Sequence, residues 1–264
     1  MEERTRSRVI AGLVAFMVLA VGWNLVTKRR TARAVVPASH ERIVSRPPPP
    51  PPTRSQAGTQ VQSTEPTGPG YLDMLARAQI RRRIRNSAPR AYLDYVVAQS
   101  SDSMLHRWDD RVARPVRVHL GQDTVANFQP AFLDAIRGAF QRWEQAGVPV
   151  RFSLGADSSD AEVRFSWRLQ FEIDRTGETD LEWDQNGHLR SGMVIIATQD
   201  PRGQPLGPDD VRVVALHEIG HLIGLDHSPD STDLMFAKTV VRDLSERDIR
   251  TALLLYDLAP GSLR

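Results

Sequence analysis

Cysteine is absent from all 264 residues. That excludes disulfides and thiolate metal sites, and it removes the usual compositional sign of an oxidising compartment. Lysine is almost missing: only Lys28 and Lys238 stand among 34 basic residues. Such an arginine bias is what a GC-rich, bacterial coding sequence produces. Net charge is also small, at +2, but unevenly spread. Residues 1–115 carry 19 Lys/Arg against 9 Asp/Glu, and residues 116–264 carry 15 against 23. The basic half flanks an apolar segment and a proline run and forms no recognisable nucleic-acid module, so no nucleic-acid partner is expected. With 41% apolar residues the chain can bury a sizeable core, which excludes a wholly disordered protein.

Long apolar runs are confined to one place. Residues 9–26, "VIAGLVAFMVLAVGWNLV", carry no charge, and Asn24 is their one polar side chain. At about 1.5 Å per residue this run nearly crosses a hydrocarbon layer about 30 Å thick. Residues 1–30 are therefore expected to be a membrane anchor, a single-pass helix tying the chain to a membrane. The rival reading is a signal peptide cleaved after Ala34 in "TARA", which would make the protein secreted. Residues 31–70 read as a flexible linker, because "RPPPPPPT" favours polyproline II and its Ser/Thr/Gly-rich continuation holds too little apolar surface to fold.

From residue 71 the pattern becomes helical. Leu72, Leu75, Ile80 and Ile84, then Tyr92, Tyr95, Val96 and Leu105, recur at spacings of three to five. Residues 71–111 are thus expected as a helical extension that either packs on the following domain or covers an active site. Residues 112–264 mix strands and helices with no regular βαβ repeat, which predicts an α+β class. Strands are expected around Val116–Leu120, in "VPVRFSL", in "AEVRFSWRL" and in the continuously apolar "SGMVIIATQD". Helices are expected over "FLDAIRGAFQRWEQAG", over "PDDVRVVALHEIGHLIGL" with Gly224 at its end, and over "SERDIRTALLLYDL" with a Ser245/Asp248 capping box.

The chemistry concentrates in "ALHEIGHLIGLDHSPDSTDLMFA", where three of the seven histidines fall within eleven residues. His217 and His221 are four apart, so on a helix they share one face and can aim at one metal ion. A third ligand is needed, because catalytic zinc keeps three protein ligands and one open position. A straight helix would carry His227 away from that face. Gly224, free to adopt positive φ, lets the chain turn back and bring His227 to the site. Glu218 then stands beside the metal, placed to take a proton from bound water. Five such residues at fixed spacing arise by composition in on the order of one window in ten million. His40, His106, His119 and His188 lack the spacing and are expected to be ordinary polar residues.

"HEIGHLIGLDH" resembles the metzincin signature HExxHxxGxxH, and Ser228 directly after His227 resembles the matrixin branch of those metalloproteases. The resemblance covers about residues 112–258. It implies a zincin-like fold, with a twisted five-stranded mixed sheet, an active-site helix and a C-terminal helix. It implies one catalytic Zn2+ on His217, His221 and His227, Glu218 as the catalytic base, and Met235 in a turn beneath the metal. It also implies hydrolysis of protein or peptide substrates at internal bonds, with the substrate lying along an edge strand assigned to Met193, Val194, Ile195, Ile196 and Ala197, and an extracytoplasmic catalytic domain. The second functional reading is a membrane-tethered zinc-containing binding domain without proteolysis.

The chain departs from the matrixin pattern in three ways. Without cysteine, latency through a prodomain thiolate cannot exist. No His-rich segment for a second zinc lies between Phe171 and Ser191; the interval carries Glu172, Asp174, Glu178, Asp180, Glu182 and Asp184 instead, which read either as a hairpin turning at "DQNGH" or as oxygen ligands for Ca2+. "LMFA" lacks the proline that usually follows the methionine.

Overall fold

The computed structural model describes residues 70–264, except 101, 123, 124 and 173. The apolar run 9–26 and residues 31–69 of the linker lie outside the described residues. Among the described residues, no helix is long and apolar enough to cross a membrane.

The elements in chain order are α1 (Tyr71–Ser87), α2 (Leu93–Gln99), β1 (Met104–Leu105), β2 (Arg111–Leu120), α3 (Ala131–Gln145), β3 (Val150–Leu154), β4 (Val163–Arg168), β5 (Gly177–Trp183), β6 (Leu189–Ala197), α4 (Pro208–Leu222), α5 (Glu246–Asp257) and β7 (Gly261–Ser262). Five strands form one sheet in the order β3-β2-β4-β6-β5. β2 runs parallel to β3 and β4, β4 runs parallel to β6, and β5 alone is antiparallel, paired to β6. The α+β class is the one read from the residue patterns, and the mixed five-stranded sheet is the one the metzincin resemblance implies; β5 is the strand the patterns did not show.

Burial explains the packing. On α3, Phe132, Leu133, Ile136, Ala139, Phe140 and Trp143 recur every three or four residues and are all buried, which is the stripe of a helix laid on a sheet. Phe140 meets Phe152 of β3 at 4.7 Å and Phe165 of β4 at 5.5 Å between ring centroids, and Phe132 lies 5.6 Å from Trp167. The Trp143 indole N–H donates to Leu216 O at 2.9 Å, joining α3 to the middle of α4.

The extension 71–111 enters the same core. Ile84, Tyr92, Leu93, Leu105 and Trp108 are buried within it. Their partners lie on α5 and at the carboxyl end of α4: Tyr92 N donates to Thr251 Oγ1 at 3.0 Å, and Trp108 Nε1 donates to Leu222 O at 2.8 Å.

The substrate-strand assignment needs correction. Met193, Val194, Ile195, Ile196 and Ala197 belong to β6, which is internal. Met193 pairs with Arg164 on one side and Asp180 on the other, and Val194 with Phe165 and Thr179. β6 buries Val194 and Ile196 on one face while Met193 on the other is exposed, so an apolar run did not distinguish an internal strand from an edge. The edges of the sheet are β3 and β5, and β5 is the one whose Thr179 reaches Glu218 on the helix Pro208–Leu222. Thr176 O accepts from Ala197 N at 2.8 Å, so in the antiparallel alternation the main-chain groups of Gly177, Thr179 and Leu181 face outward.

Candidate metal centre

The site is built on α4. Pro208 starts the helix, where its missing N–H costs nothing, and the Asp210 carboxylate accepts from Gly207 N at 3.2 Å. The helix ends in a Schellman turn: Leu225 N donates to Gly220 O at 3.0 Å and Gly224 N to His221 O at 2.8 Å. Gly224 has φ of 101°, the left-handed conformation anticipated from its spacing. A Cβ there would lie 2.1 Å from His106 O, so the residue must also be bare. The turn carries the chain back to His227.

The three imidazoles converge. Ring centroids are 4.9 Å apart for His217 and His221, 4.8 Å for His221 and His227, and 5.3 Å for His217 and His227. Their ligand nitrogens all lie within 4.8 Å of one another. Main-chain carbonyls fix two of the rings. His217 Nδ1 is 2.8 Å from Leu234 O, and His221 Nδ1 is 2.9 Å from Leu225 O. A carbonyl only accepts, so each Nδ1 carries the proton and each Nε2 presents a lone pair. Those two Nε2 atoms are 3.2 Å apart. Two lone pairs at that separation repel unless a cation lies between them, and two nitrogens on one tetrahedral zinc are about 3.3 Å apart. The donor set fits a metal ion.

Electrostatics agrees with that role. Burial pushes His217 down to about 4, against the bond to Leu234 O, and pushes His221 down to about 3, with the neighbouring imidazoles adding to the effect. Burial also lowers His227. The rings are therefore neutral at pH 7, the form that ligates. Glu218 is 5% exposed, and burial raises it to about 7, opposed by a hydrogen bond from Thr179 and by the Arg175 charge.

Met235 is fully buried against the helix. A Cβ on Gly220, the residue before His221, would lie 2.2 Å from Met235 Sδ. The methionine segment is pinned by Ser228 N donating to Met235 O at 2.8 Å and by Asp248, whose carboxylate accepts from Leu234 N at 2.8 Å and Met235 N at 3.3 Å. The same carboxylate accepts from Tyr92 OH at 2.9 Å and Ser245 N at 2.9 Å. The capping box was legible in the sequence; the four-way hub was not, because three of its donors come from other segments.

The acidic interval forms the β5–β6 hairpin. Asp184 accepts from Asn186 N and His188 N at 2.9 and 3.0 Å, closing the turn. Glu178 pairs with Arg175 and Asp174 with Lys238. Among the described residues, the His triad is the group of three or more His, Asp or Glu close enough to share an ion. The hairpin reading holds, and the alternative Ca2+ ligands run from the segment before β5 to the turn after it, where Asp174, Glu178, Glu182 and Asp184 each have a separate partner. His119 and His188 also have local partners, at Ala156 O and Asp184.

A model of the matrixin family matches residues 119–257. The chain belongs to the matrixin family. The metalloendoproteinase 1-MMP of Arabidopsis thaliana is similar to this matrixin, 29% identical over 137 residues that cover 47% of this chain and 37% of the plant protein. The chain thus aligns with little more than a third of that relative's length. At the level of the family, this matrixin is a metalloprotease-type hydrolase domain whose His triad can bind a metal ion.

Proposed function

We propose that this matrixin is a zinc-dependent endopeptidase in which Glu218 is the general base and the outer edge of β5 receives an extended stretch of substrate. The carrying observation is a buried carboxylate one residue from a ligand imidazole, pushed up to about 7. A group with that affinity can both take and release a proton near neutral pH.

His217, His221 and His227 would hold the metal, and a bound zinc would polarise the scissile carbonyl and acidify the attacking water. Glu218 accepts the water proton as the oxygen bonds to the carbonyl carbon. It then delivers that proton to the amine nitrogen as the C–N bond breaks, and is restored for the next turnover. No covalent acyl-enzyme forms. Main-chain pairing along β5 recognises peptide backbone and needs no free terminus, which suits cleavage at internal bonds. An extracytoplasmic domain tethered through residues 9–26 belongs to the same reading: the apolar run supports the tether and the matrixin family supports the side; labelling from one side of sealed vesicles tests it.

The decisive test is metal analysis coupled to peptide profiling. The protein should bind one zinc and cleave unfolded protein. Glu218→Ala should keep the metal and lose turnover by roughly 10²- to 10⁴-fold. Zinc-loaded wild type that cleaves nothing in a broad peptide library would leave the binding-domain reading in its place.

A further inference from the structure

β5 does more than offer an edge. Gly177 and Thr179 are two apart, so both present the same face of the strand, and that face meets Glu218. The Thr179 hydroxyl donates to Glu218 Oε2 at 2.7 Å and also lies 3.2 Å from Glu218 O. At Gly177, a Cβ would come within 2.2 Å of Glu218 Oε1 and 2.7 Å of its Cδ. The strand therefore forms a seat for the carboxylate, with one residue bare to admit one oxygen and the next on that face holding the other. Glu218 is nearly buried, and Thr179 is its hydroxyl partner from 39 residues away.

Resting on the reading of Glu218 as general base, we propose that Thr179 is a positioning residue for the reaction, and that Gly177-x-Thr179 orients the Glu218 carboxylate. With Oε2 held by the hydroxyl and Oε1 lodged against Gly177, the strand sets the orientation of the carboxylate. The outward main-chain groups of these same two residues lie on the edge where substrate would pair. Backbone docking and orientation of the base thus share one three-residue unit.

Thr179→Val keeps the shape and strand preference of the side chain and removes only the hydroxyl; Thr179→Ser restores it. Thr179→Val should retain zinc and an unchanged KM while kcat falls on the order of 10- to 100-fold, as for a lost hydrogen bond to a charged group. Thr179→Ser should stay close to wild type, and Gly177→Ala should lower kcat by displacing the carboxylate from the other side. Crystal structures of the metal-free wild type, Thr179→Val and Thr179→Ser give a readout independent of turnover: the Glu218 carboxylate should hold its place in the first and third and rotate away in the second. The proposal is overturned if it stays put in Thr179→Val, if that variant keeps kcat within about twofold, or if Thr179→Ser loses as much as Thr179→Val. A wild type without peptidase activity would remove the functional reading, while the crystallographic comparison would still decide whether Thr179 fixes the carboxylate.

Discussion

Gly224→Ala adds one methyl group, and the structure says where it goes. At φ of 101°, an alanine bears left-handed strain of about 1–2 kcal/mol. The new Cβ would lie 2.1 Å from His106 O, 3.1 Å from His106 C and 3.2 Å from Leu255 Cδ2. Two of those atoms are main chain and cannot swing aside, so overpacking of about 1–3 kcal/mol is added. The sum, about 2–5 kcal/mol, is a large part of a typical domain's stability. The turn also supplies Leu225 O to His221 Nδ1 at 2.9 Å and returns the chain to His227. Loosening it should therefore weaken metal binding roughly 10- to 100-fold, as disturbed supports of metal ligands do. Urea unfolding of the metal-free protein measures the first effect, and competition with a chelating dye measures the second. A loss below about 1 kcal/mol together with unchanged metal affinity would refute the claim that this turn needs a bare left-handed residue.

Other perturbations separate the remaining contacts. Gly220→Ala meets Met235 Sδ, the end of a flexible side chain, so its destabilisation, on the order of 1–3 kcal/mol, should be partly relieved by Met235→Ala; additive losses in urea melts would argue against the contact. Asp248→Asn replaces an all-acceptor group with one that brings donors of its own towards Tyr92 OH, Leu234 N, Met235 N and Ser245 N. It should cost about 3–5 kcal/mol, against about 1–2 kcal/mol for Tyr92→Phe, and equal melts for the two variants would contradict the hub. In the metal-free protein, His217 and His221 titrate near 4 and 3 when folded and near 6.5 when unfolded. The unfolded chain then binds more protons, and their stability contribution, present above about pH 6.5, is lost as pH falls towards 4. Glu218, raised to about 7 when folded, acts in the opposite sense, because its contribution is lost as pH rises through 7. Glu218→Gln should therefore steepen the acid side of a plot of urea midpoint against pH, and an unchanged slope would count against these assignments.

Local signals carried much of the architecture. The stripe on α3, the capping box at Ser245, and the spacing of His217, His221, Gly224 and His227 each depend on residues within a turn or two of each other, so helical period and turn chemistry sufficed. The edge of the sheet was misplaced because its identity is not local. "GETDLEW" has two large apolar residues, Leu181 and Trp183, and reads as a solvated segment, whereas "GMVIIA" is apolar although Met193 is exposed, and its internal place comes from main-chain pairing to β4 and β5, which side-chain composition does not encode. Thr179 could not be singled out, since a threonine in an acidic strand carries no sign of the glutamate it will meet. A Gly-x-Thr pair in a run otherwise rich in Asp and Glu was the available hint. Asp248 was read as a helix cap, and its service to Leu234, Met235 and Tyr92 depends on segments brought together by folding.

The acceptors that orient His217 and His221 are peptide oxygens of Leu234 and Leu225. Every residue type supplies such an oxygen, so the aim of these two rings is written in the path of the chain and survives a change of side chain at either position. Evolution can therefore change the side chains at those two positions without redirecting the triad, while a single residue inserted between Ser228 and Leu234 would swing one of those oxygens out of reach.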